Sequence, residues 1–252
     1  MRMARTLWLL PLLALGLLVP VRSEAIVTVV FGSSWDGASN DLQHIVDARY
    51  GAGAITVTTD YIGAHPGDAD PFGWKDLQFD ALLVKEIAGN ADRNTLGWYK
   101  ETGSAPVIDG TDDGVVFDGP ASAGAAQLVV FPTPTPFGLY LNPNGPDDAT
   151  NAPEPEKFYT NRRFNDLGPD GSGALHEPFD GDVQALVFDL SGVLHEPNVW
   201  LVAFEDLDSG ANPGPCCSTT DNDFNDLVLE VHAIGATPAG YTTFGRIKAM
   251  YR

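Results

Sequence analysis

Between Trp200 and Val231 the chain carries two acidic groups. Glu205, Asp206 and Asp208 stand on one side of a Gly- and Pro-containing stretch, and Asp221, Asp223, Asn225 and Asp226 stand on the other. Carboxylates brought within a few ångströms of one another repel unless a cation sits among them. No Lys or Arg occurs between positions 200 and 234, so no local side chain can supply that charge. A set of Asp, Glu and Asn oxygens suits calcium, which accepts six to eight oxygen ligands in irregular geometry, whereas zinc prefers His and Cys. Calcium is therefore the expected ion and magnesium the second choice, held by Glu205, Asp206, Asp221, Asp223, Asn225 and Asp226. The spacing of Asp221, Asp223 and Asn225 opens like an EF-hand loop, but Asp226 stands where that loop needs Gly and His232 where it needs Glu. The competing reading is that these acids only keep a surface loop soluble. Against it, Phe224 and Leu227 are interleaved with the acids and argue for fixed geometry.

Two apolar, β-forming runs must position these groups, residues 200–204 and 227–231. The intervening Ser209, Gly210, Asn212, Pro213, Gly214 and Pro215 break regular structure and let the chain reverse, so the two runs are expected to pair as neighbouring strands. Further strands are predicted at 26–31, 55–61, 77–87, 95–100, 114–117, 127–131, 138–141 and 184–190. One helix is predicted over 42–50, where Leu42, Ile45, Val46 and Tyr50 share a face, with Ser39, Asn40 or Asp41 as its cap and Gly51 to Gly53 as its end. Short strands with turn signals about every ten residues predict an all-β fold, an antiparallel β-sandwich of jelly-roll-like form with one short N-terminal helix.

The motifs FEDL (Phe204 to Leu207) and DNDFND (Asp221 to Asp226) resemble the C-terminal signature of a bacterial exported domain-of-unknown-function family. In that family an apolar strand ending in F-E-D-L is followed by D-x-D-[FY]-N-D and a second apolar strand. LGWYKE at 96–101, PFGLYL at 136–141 and FYTNRRFND at 158–166 continue the likeness upstream in the same order, over most of the chain. The resemblance implies a β-sandwich domain of secreted or surface proteins, with the acidic motif as a calcium site and no established activity. The chain departs from that pattern in the long insertion carrying Cys216 and Cys217 and in having no C-terminal membrane anchor.

At the N-terminus, Arg2 and Arg5, the apolar stretch 7–19 and Ser23-Glu24-Ala25 fit a cleavable export signal over 1–25. An uncleaved anchor is the other reading of this stretch. The expected organisation is then a single β-sandwich domain over 26–235 and a basic, amphipathic tail over 236–252, in which Arg246, Lys248 and Arg252 alternate with Phe244, Ile247, Met250 and Tyr251. The formal net charge is −20, and loss of Arg2, Arg5, Arg22 and Glu24 with the signal would make it more negative still. Such a surface argues against nucleic acid as a partner and fits binding of a divalent cation. An extracellular polysaccharide or matrix protein is the other expected partner, and no stable membrane span is expected after cleavage. Two adjacent cysteines do not make a disulfide scaffold, so stability must come from a core and from the ion. A vicinal disulfide and a bond to another chain are both open to them.

No motif singles out a nucleophile, a general acid or a base, so enzymatic activity is not the expected role. The repeated Leu-His-Glu-Pro at 175–178 and 194–197 lacks the second His of a zinc protease, and its prolines disfavour the required helix. Trp35, Trp74, Trp98, Tyr99, Tyr159 and Trp200 offer flat rings for a carbohydrate-binding or carbohydrate-cleaving alternative, although aromatic residues alternating in strands are mostly core. A structural assembly subunit, joined through the tail or the cysteines, is the third reading.

Overall fold

In the computed structural model, residues 29, 31–34, 36–65, 73–88, 91–119, 121–143, 157–165, 183–206 and 222–233 are described. The predicted signal segment, most of the first predicted strand, the 175–178 motif, Asp208, Asp221, the cysteine pair and the predicted tail lie outside them. Among the described residues, eight strands form an all-antiparallel sheet: β1 (Trp74–Glu86), β2 (Thr95–Lys100), β3 (Asp113–Asp118), β4 (Ala126–Asn142), β5 (Phe158–Tyr159), β6 (Ala185–Asp189), β7 (Val199–Phe204) and β8 (Leu227–Ala233). Their order is β3-β2-β4-β1-β8-β7-β6, with β5 paired to β4. Hydrogen bonding is continuous, yet Val116 and Phe117 from one end of the sheet and Val187 from the other share a single core. The sheet therefore closes on itself like a sandwich, which agrees with the predicted all-β class.

Phe137 is central to this first core. It stacks on Phe79 (centroids 4.6 Å apart) and on Trp74 (5.5 Å), while Trp200 meets Trp74 edge-on. The opposite face of β6, β7 and β8 is covered by α1 (Leu42–Tyr50) and by residues 55–61. Glu230, on this outer face of β8, fastens the helix: Arg49 Nε donates to its carboxylate at 2.5 Å and Tyr50 Oη at 2.7 Å. Burial by itself would raise the Glu230 pKa, but the bonds from Arg49, Tyr50 and His232 hold it below the ordinary value.

The helix occupies its predicted span, with Asp41 at its N-cap. The Asp41 side chain makes no capping bond; its Oδ1 instead accepts from Ser34 N at 2.8 Å. Residues 55–61, predicted as a strand, form turns, with one bridge between Tyr61 and Phe188. Gln43 explains the difference, since its amide donates to Ile55 O (2.9 Å) and accepts from Val57 N (3.0 Å). Backbone groups satisfied by a side chain do not need a ladder. The predicted strands 127–131 and 138–141 are one long β4, whose pairing with β1 shifts register around Pro132 and Pro134. Proline cannot donate to the ladder, and a register shift is where a strand tolerates it. The four-residue helix α2 (Ser191–Leu194) and β5 are too short to show in a periodicity. In the second Leu-His-Glu-Pro, Leu194 ends α2 and His195 caps it in the left-handed region, so the motif does not continue as a helix.

On β2 and β4, Gly97 faces Tyr140 and Tyr99 faces Gly138, so each ring lies over the glycine of the opposite strand. A Cβ on Gly138 would sit 2.3 Å from Tyr99 Oη, and the Tyr99 ring is confined by Tyr159 and Phe164. Gly138→Ala is expected to cost about 1–3 kcal/mol through overpacking. A urea midpoint unchanged from wild type would refute this.

Candidate metal centre

Phe204 pairs with Leu227, so β7 ends where β8 begins. Two residues beyond one strand end and one residue before the other start, the chain places Glu205, Asp206 and Asp226 side by side. All three are buried, at 0, 4 and 4% exposure, and one carboxylate oxygen from each lies within 4.8 Å of the others. Their orientation is fixed by backbone. Asp206 N donates to Asp226 Oδ2 at 2.7 Å, Phe224 N approaches Glu205 Oε2 at 3.4 Å, and Glu205 N donates to Gln184 O at 3.0 Å.

The remaining predicted ligands divide. Asp223 and Asn225 are buried beside the triad, and Asn225 reaches the loop that precedes α1. The Asn225 amide nitrogen donates to Asp223 Oδ2 (2.7 Å), Ser34 Oγ (2.8 Å) and Asn40 O (2.8 Å). Its oxygen Oδ1 has no hydrogen-bond partner among the described residues. Asp221 lies outside the described residues.

The backbone that achieves this is strained. Asn222 and Phe224 both adopt positive φ (53° and 54°); asparagine tolerates this region, whereas a phenylalanine enters it at a cost of about 1–2 kcal/mol. Burial of the Phe224 ring in the second core, 5.9 Å from that of Phe31, offsets the cost. The alternation sends Phe224 one way and its acidic neighbours the other.

Electrostatics set what the site can do. Burial, followed by the charges of Glu205 and Asp206, raises the Asp226 carboxyl well above the ordinary aspartate range; the N–H of Asp206 opposes the rise and Asp223 adds to it. A buried carboxylate surrounded by carboxylates must gain a proton or a cation. The donors are all oxygens, the chemistry of a hard divalent cation, and the buried Asn225 Oδ1 is an acceptor of the same kind. These residues could hold a metal ion.

Two participants escape sequence reading. Glu86, at the end of β1, and Asn94, just before β2, lie next to Asp206, and Asn94 Nδ2 is 3.4 Å from Asp206 Oδ2. Their separation from Asp206 in sequence leaves no local signal. Of the aromatic residues considered for sugar stacking, Trp74, Tyr99 and Trp200 are buried in the cores.

Fold and site together define an all-β domain with a buried acidic centre at one end of its sheet. No protein-family model, no curated protein and no solved structure matches the chain.

Proposed function

We propose that this chain is a calcium-binding β-sandwich domain of an exported protein, with a binding or matrix role outside the cell or at its surface. The observation that carries the reading is the convergence of three buried carboxylates, Glu205, Asp206 and Asp226, with an Asp226 carboxyl destabilised by its neighbours. Calcium is favoured over magnesium because magnesium demands near-ideal octahedral geometry and keeps several of its waters, while the carboxylates of this site are buried. The export signal over 1–25, the acidic balance and the FEDL and DNDFND motifs support the extracellular setting. Among the described residues no helix is long and apolar enough to cross a membrane.

The ion would cancel carboxylate repulsion and tie the β7 end to the β8 start, so its role is structural. Extracellular calcium sites bind at about 0.1–1 mM. At a hundredfold excess over such a constant, occupancy contributes about 2.7 kcal/mol, or a rise in melting temperature of about 5–10 °C for a chain of this size. Thermal melts in calcium, in magnesium and in chelator test this. Asp226→Asn keeps an acceptor for Asp206 N and removes one charge, so it is expected to melt higher than wild type in chelator and to gain nothing from calcium. Wild type with the same melting temperature in all three conditions would end the proposal.

A further inference from the structure

The triad is bordered on its other side by two groups from the β1–β2 connection. Glu86 is the last residue of β1 and pairs with Leu227, the residue after Asp226. Ile87 N donates to Asp226 O at 3.1 Å, which fixes the exit of β1 against the acidic centre. Asn94 is 1% exposed, and its amide points at Asp206. The 3.4 Å separation makes that hydrogen bond weak. Its oxygen Oδ1 is buried with no hydrogen-bond partner among the described residues, and so is Oε1 of Glu86. Buried acceptors left without a donor cost about 1–3 kcal/mol each. Oxygen atoms left in this condition beside three clustered carboxylates have one common remedy, a cation.

We propose that Glu86 and Asn94 are further ligands of the centre formed by Glu205, Asp206 and Asp226, Asn94 acting through its side-chain oxygen. A half-turn of the Asn94 amide exchanges its weak donor contact with Asp206, and the bond it shares with Glu86, for an oxygen directed at the ion. The shell then holds four carboxylates and one amide oxygen, drawn from the ends of β1 and β7 and from the residues just before β2 and β8. Since carboxylates can bind through both oxygens, this set reaches the six to eight ligands of calcium and exceeds what magnesium takes from protein. The inference rests on the cation-binding reading and adds to it both ligands and selectivity for the larger ion.

Calcium and magnesium titrations by calorimetry on the full chain test it, with Glu86→Gln, Asn94→Ala, Asn94→Asp and the surface control Asp112→Asn, and with circular dichroism to verify folding. Glu86→Gln, which preserves shape, is expected to weaken calcium binding 10- to 100-fold and to narrow the preference over magnesium, while Asp112→Asn matches wild type. Asn94→Asp is expected to bind calcium better than Asn94→Ala, because it keeps the oxygen. If Asn94 served only as a donor to Asp206, the aspartate would be the worse of the two, and the assignment of Asn94 would fall. Glu86→Gln binding calcium within twofold of wild type would overturn the assignment of Glu86 and leave the triad standing. A wild-type protein that takes no calcium would remove the whole centre.

Discussion

In chelator, the protein is expected to melt at a higher temperature at pH 5 than at pH 8, and calcium at a hundredfold excess over its dissociation constant is expected to abolish or reverse that order. The sign follows from two carboxyls whose folded-state pKa values are raised. Burial drives Glu86 from 4.5 to about 7, tempered by Asn94 and reinforced by Asp206. Burial and the charges of Glu205 and Asp206 raise Asp226 well above 3.8. Between pH 5 and pH 8 the folded state therefore holds protons that the unfolded chain has released, and stability falls as pH rises. In full, the Glu86 shift corresponds to roughly 3 kcal/mol; the group is only half shielded from water, and screening reduces this to about 1 kcal/mol. That is about 2–4 °C from Glu86, to which Asp226 adds in the same direction. Glu230 does not oppose the trend in this window. Its pKa is lowered, so its contribution is present above the ordinary glutamate value and is lost only as pH falls below it. Calcium requires ionised ligands, so its stabilisation grows with pH. Glu86→Gln should flatten the slope in chelator. A melting temperature that is level or rising from pH 5 to pH 8 without divalent ions would falsify the electrostatic account of the site.

Phe137→Ala is expected to be among the most damaging single substitutions, costing about 3–5 kcal/mol and lowering the melting temperature by about 10 °C. The ring is fully buried and touches Phe79, Trp74 and Phe131, so its loss removes transfer free energy, three aromatic contacts and the packing between halves of the folded sheet. Phe137 belongs to the first core and the triad to the strand ends, so the two should act independently. Calcium should stabilise Phe137→Ala by the same free energy as wild type. Urea titrations with and without calcium provide both numbers. A cost below about 1 kcal/mol would mean that the core rearranges around the loss.

The strand ends that build the site were legible in sequence because apolar runs at 200–204 and 227–231 surround a chain-reversing composition, and they pair as neighbours. Glu205, Asp206 and Asp226 meet as the motif suggested. The division of labour among the predicted ligands was not legible. That Asn225 bonds the loop before α1 while Asp223 stays close enough to act on Asp226 depends on two positive-φ residues that period-2 reasoning does not include. Glu86 and Asn94 were invisible for another reason: they come beside Asp206 only once β1 has paired with β8, a partner far away in sequence, and no local window contains that event. The helix was readable from its apolar face, whereas its anchor on Glu230 was not, since 181 residues separate that glutamate from Arg49.

The αL pair Asn222 and Phe224 also distinguishes this centre from a self-contained binding loop. A peptide spanning both acidic motifs would lack Glu86 and Asn94, and it would have no hydrophobic floor to repay the unfavourable backbone of Phe224. On the proposed reading, recognition of an ion is thus a property of the completed domain and not of any contiguous stretch. Transplanting the motif into another scaffold would carry over the letters without the geometry.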